Sequence, residues 1–174
     1  MDTLTIFLTQ LILSVVVFAF LAKWFIGPWL AGKPLHFALL VLTFPHAMRH
    51  VGLSFLVPSL VDDSLGGTFA GLAAYGDFAT GLLALVALVA LRHRWEVAIP
   101  LAWLLNVVGT MDLINALRQA DNVPNLHMTW YIPTFFVPLL LVTHLQMFLL
   151  LFQHAFGNSA GQIEPNLALS SARK

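Results

Sequence analysis

The chain has no cysteine among its 174 residues. Disulfides, thiolate metal sites and cysteine nucleophiles are therefore excluded together, while the redox compartment stays open. Charge is nearly as scarce. Only 9% of residues are Asp, Glu, Lys or Arg, where a soluble domain carries about 25%. The eight basic and eight acidic side chains cancel, so no basic face points to nucleic acid as a partner. Nucleotide, kinase and hydrolase motifs are missing, as are an internal repeat and a second domain. The pair His46-x-x-x-His50 has Ala47 where a metalloprotease H-E-x-x-H helix needs glutamate, which removes that chemistry too.

What fills the chain is apolar. Hydrophobic residues make up 59% of it, against about 45–50% in soluble domains, and they fall in runs long enough to cross a bilayer. The expected fold is an all-α integral membrane protein with five spans, over residues 4–26, 35–60, 69–91, 97–117 and 130–154. Helices are expected rather than strands because the runs do not alternate, as the shorter strands of a membrane barrel would. The breaks GPWLAGKP, VDDSLGG, RHRWE and RQADNVPNLH carry turn residues. The first run lacks a basic leader and is too long for a signal-peptide core, so it reads as a retained helix. Residues 1–155 form one transmembrane domain in this reading, and 156–174 form a polar, flexible cytoplasmic tail.

Lysine and arginine placement sets the orientation. With five spans, Lys23, Lys33, Arg92, Arg94, Arg173 and Lys174 share one side. The other side holds Arg118 with Asp2, Asp62, Asp63 and Asp121. The amino terminus is expected outside and the carboxyl terminus in the cytoplasm, with the protein in the inner (plasma) membrane of a bacterium. Trp24, Trp29, Trp95 and Trp130 lie near span ends, where aromatic belts form.

Against this background the segment PHAMRH, residues 45–50, is costly. An ionisable side chain at the bilayer centre costs about 2.5–3.5 kcal/mol on insertion scales, and the chain places His46, Arg49, His50, Asp77, Asp112 and His144 inside its spans. At about 1.5 Å per residue, His46 and His144 both come out ~21 Å from the outer ends of their spans. Arg49, His50 and Asn106 fall at ~15–18 Å, Asp77 at ~12 Å and Asp112 at ~9 Å by the same arithmetic. Residues from four helices thus form a ladder from mid-membrane toward the outside, which implies a polar, outward-facing cavity. The four-residue spacing of His46 and His50 predicts that both lie on one helical face, flanked by Arg49. Pro45 frees the carbonyl of Val41 and loosens the helix beside His46.

Three functions compete for these residues. The first is a pocket for a cofactor or ligand. His46 and His144 could bind haem b axially, with Arg49 on a propionate. Alternatively His46, His50 and His144 could hold a transition metal with Asp77 or Asp112. Tyr75, Asn106 and Asn115 would support the network, and redox or acid–base chemistry on a lipid substrate is a variant of this reading. The second is proton-coupled translocation of a small solute, for which intramembrane Asp and His are the usual parts. A homo-oligomer would suit this second reading, since five helices are few for a monomeric carrier. The third is an accessory or assembly subunit of a larger membrane complex with a purely structural polar network. In that case Arg49 pairs with Asp77 or Asp112, and the asparagines join helices by hydrogen bonds.

Overall fold

The computed structural model describes residues 1–62, 65 and 67–160, without the side chains of 67, 68, 120, 121 and 157–160. It is all-helical, with no strand among the described residues. Five helices are long and apolar enough to cross a membrane. We label them α1 (Thr3–Ala31), α2 (Leu35–Leu56), α3 (Gly67–His93), α4 (Ala98–Leu117) and α5 (Val137–Ala160). A 3-10 turn, His127–Trp130, and a π turn, Ile132–Phe136, lead into α5. Consecutive helices run antiparallel. One end of the bundle therefore carries Asp2 and the connection between α4 and α5, and the other carries Lys33, Arg92 and Arg94. Residues 161–174, with Arg173 and Lys174, and residues 63, 64 and 66 lie outside the described residues.

Local chemistry explains the boundaries. Asp2 caps α1 by accepting from the amide of Thr5 at 2.7 Å, which holds its carboxyl below the usual carboxylate range. The helix then runs on through the π turn Ala22–Ile26, so Gly27 and Pro28 do not end it. Pro28 sits at the first turn of the segment that follows, where a missing amide costs little. α2 stops at Leu56, ahead of Pro58, rather than at the expected residue 60.

The α3 helix is the spine. Between Phe69 and Leu91 its buried residues, Ala70, Ala73, Ala74, Thr80, Gly81, Ala84, Ala87 and Ala90, are all small, which lets α2 and α4 pack closely on it. Toward the basic end, Leu39, Leu42, Ala84, Leu105, Met147 and Leu151 form a continuous apolar cluster. Toward the Asp2 end, a second cluster gathers Phe7, Phe55, Leu65, Phe69, Val123 and Leu126. Two links close this end. The amide of Met128 donates to Leu60 at 3.1 Å and that of Asp62 to Asn125 at 3.0 Å. Trp130 Nε1 donates to Gln10 Oε1 at 2.6 Å, tying α5's lead-in to α1. The α1 helix buries little beyond Phe7, Ala22 and Leu30 and shows an almost wholly apolar outer surface.

Candidate functional site

The site forms between these two clusters and begins with a change of helical pitch in α2. After Ala47 the helix tightens into a 3-10 segment, Met48–Leu56. At three residues per turn, positions three apart eclipse one another. Arg49, Gly52 and Phe55 are accordingly the buried residues of that segment, in line with His46 above them. His50, four on from His46, is rotated off this face. It is exposed, with Nδ1 3.2 Å from the carbonyl of Ala47. The expected grouping of His50 with His46 rested on a regular α-helix and does not form.

Arg49 is the centre of the site. Its side chain is fully buried, and its polar contacts go to three groups on two other helices. Nε donates to Asp77 Oδ1 at 2.7 Å, and Nη2 lies 2.6 Å from the same oxygen. Nη2 also donates to Asp112 Oδ2, and Nη1 donates to the carbonyl of Gly109 at 3.1 Å. The guanidinium is thus shared by two carboxylates rather than paired with one. Glycines make room for them. A Cβ at Gly52 would overlap the Asp77 carboxyl, and one at Gly76 would overlap that of Asp112.

Deeper in the bundle lie the two remaining histidines. His46 and His144 are in contact, ring centroids 4.0 Å apart. Their partners assign the protons. Asn106 Nδ2 donates to the His144 carbonyl at 3.1 Å, so Asn106 Oδ1 accepts from His144 Nδ1–H at 2.6 Å. Thr143 gives its hydroxyl proton to the carbonyl of Leu139 or Leu140, so it accepts from His46 Nε2–H at 3.1 Å. Among the described residues His46 Nδ1 and His144 Nε2 have no hydrogen-bond partner, and each is left as a lone pair. His144 Nε2 and Arg49 Nη1 border the same glycine, since a Cβ at Gly109 would lie 2.8 Å from the first and 3.2 Å from the second.

The column Asp112–Asp77–Arg49–His144–His46 therefore brings together five of the nine residues singled out in the sequence, with Asn106 as a sixth. Tyr75, 62% exposed, is turned outward, because two residues from Asp77 is over half a turn of helix. Asn115 is exposed and lines a small side crevice with Asp112 rather than joining the column. Thr143, Gly52 and Gly109 are the functional neighbours that the sequence reading missed. A legible signal existed for one: positions 46, 49, 52 and 55 repeat every three residues.

This geometry bears on the cofactor readings. A bis-histidine haem places a macrocycle between its two imidazoles, and rings in contact at 4.0 Å leave no slot for one. Asp77 and Asp112 face the guanidinium, and His50 faces outward. Among the described residues no group of three His, Asp or Glu side chains is placed to hold a metal ion. Replacing Thr143 by Val is expected to cost about 1–3 kcal/mol by leaving His46 Nε2–H buried without an acceptor. Unfolding of the purified variant in mixed detergent micelles measures it.

At one end of the polar column, beyond His46 and Thr143, lie the apolar cluster around Leu42 and Met147 and an apolar cavity that Thr143 lines with Leu42, Pro45 and Gln146. At the other end, Asp77 and Asp112 line an open pocket. Its walls are apolar, with Phe7, Phe55 and Phe69 among them, and Gln119 and Asn122 add polar groups. The profile of one family, described as "Domain of unknown function (DUF8737)", matches residues 6–152. The chain belongs to that family. The matched stretch takes in all five helices through Phe152 and every residue of the DUF8737 column and pocket just described. No curated protein and no solved structure matches the chain.

Proposed function

We propose that this DUF8737 chain is an integral membrane protein that binds a lipid-soluble small molecule in a pocket opening on the outer side. Its ligand's polar head meets the Asp77–Arg49–Asp112 cluster. The observation that carries this reading is the pocket itself: an apolar-walled cleft with two carboxyls as its polar end, the mostly apolar lining with a few placed polar groups that small-molecule sites have. The five apolar helices support insertion in a bilayer. The clustering of Lys23, Lys33, Arg92 and Arg94 away from the pocket supports an outward opening, and a bacterial inner membrane is the location proposed. Translocation is the weaker reading, because the polar column ends in the apolar cluster rather than continuing to the basic end.

Two measurements test this, and the absence of native cysteine makes the first clean. A cysteine at Gln119 should react with a membrane-impermeant maleimide in intact cells, and one at Arg94 only after permeabilisation. The reverse pattern would refute the orientation. Second, the full chain in lipid nanodiscs should bind 1-naphthalenemethanol saturably. Ala116→Phe, which fills the pocket from its wall, should remove that binding.

A further inference from the structure

We infer that the ligand of this pocket is an organic cation: a protonated amine carried on an apolar or aromatic body. The inference rests on the pocket reading above and names the ligand class. It follows first from which charges the pocket presents. Arg49 has no exposed side-chain surface, and its three nitrogens are all engaged by Asp77, Asp112 and the Gly109 carbonyl. An anionic ligand entering the pocket does not reach the guanidinium. What it meets is carboxyl surface, because the Asp77 and Asp112 side chains are 14% and 23% exposed.

Charge arithmetic points the same way. Two carboxylates and one guanidinium leave one negative charge in excess when all are ionised, and among the described residues no lysine, arginine or histidine lines the pocket; Arg49 lies buried behind the two carboxyls. A single ammonium group balances that excess and donates N–H bonds to carboxyl oxygens, the charge-assisted kind that outlast neutral ones. The walls suit the rest of such a molecule. Phe7, Phe55 and Phe69 surround the chamber, and aromatic faces attract cations as well as apolar groups. Phe55 and Phe69 meet edge to face, at 6.0 Å and 69°. A small side crevice lined by Leu72, Asn115 and Gln119 also reaches Asp112.

The test compares three probes with the same ring on the full chain in nanodiscs: 1-naphthylmethylamine, 1-naphthalenemethanol and 1-naphthaleneacetate. The amine should bind about tenfold or more tightly than the alcohol, and the acetate most weakly. Asp112→Asn makes the cluster neutral and should bring the amine's affinity down to that of the alcohol, whose own binding persists and reports a folded pocket. Asp112→Glu keeps the charge and should keep the preference. Equal binding of amine and alcohol to the unmodified chain overturns the cation while leaving the pocket standing. Tightest binding by the acetate overturns it in favour of Arg49 as the recognition group. If none of the three binds a chain that is folded by circular dichroism, the pocket reading falls with it. Loss of the preference in Asp112→Glu as well as Asp112→Asn shows that charge is not what the site reads, and overturns the inference as well.

Discussion

Replacing Arg49 by Met is expected to destabilise the bundle by about 3–5 kcal/mol, the usual result of removing one partner from a buried ionic group. The geometry explains why the loss is so large for a single side chain. Arg49 holds two carboxylates on different helices, Asp77 on α3 and Asp112 on α4. Without it these face one another across a site with little water, and like charges at that range repel strongly. The Gly109 carbonyl loses its donor as well. The triple variant Arg49→Met, Asp77→Asn, Asp112→Asn removes the charge altogether and should recover most of the loss, since neutral replacements for buried ion groups are often tolerated. Unfolding midpoints in mixed micelles compare the two. A single variant as stable as the triple would show that the carboxylates do not depend on the guanidinium.

The same cluster shows which parts of the molecule can be read from sequence. Five helices were legible because apolar run length is a one-dimensional property and the turn residues between runs are strong. The meeting of His46 with His144 was legible through depth, and Arg49 was expected to pair with Asp77 or Asp112, where the structure has it hold both. Antiparallel helices of known rise place residues at predictable heights, and polar groups at one height inside a bilayer seek each other. Rotation about the helix axis was not legible to the same degree. His50 was grouped with His46 on α-helical periodicity, but the 3-10 segment from Met48 shifts its phase and puts Arg49 there instead. Tyr75 and Asn115 were expected to support the network, and both are exposed rather than part of the column. The pocket was out of reach for a different reason. Its walls come from Phe7, Phe55, Phe69 and Val123, residues indistinguishable in sequence from the many other apolar side chains of this chain.

Glycine decides whether the aspartates can occupy their places, and Gly52→Ala should therefore be as damaging as a change to the charges. A methyl group at Gly52 would lie 2.6 Å from Asp77 Cβ and 2.7 Å from its Cγ. These are the rigid root of a short side chain rather than a flexible end, so a rotamer change does not relieve the overlap. Either α2 and α3 move apart along the tightly packed alanine stripe, or Asp77 swings off Arg49. The first is overpacking, costing about 1–3 kcal/mol, and the second unpairs a buried charge at about 3–5 kcal/mol. A loss of about 2–4 kcal/mol is expected, with reduced binding of 1-naphthylmethylamine because the pocket floor shifts. Gly71 is the control within the same helix that carries Asp77. A Cβ there meets nothing within 4 Å, so Gly71→Ala should leave stability unchanged or raise it by up to about 1 kcal/mol through the lower backbone entropy of alanine. Opposite signs for the two variants, read as midpoints in the same detergent titration, separate a glycine that seats the ion cluster from one that merely sits in a helix. If both shift the midpoint downward by the same amount, the close approach of α2 to Asp77 is not what Gly52 provides.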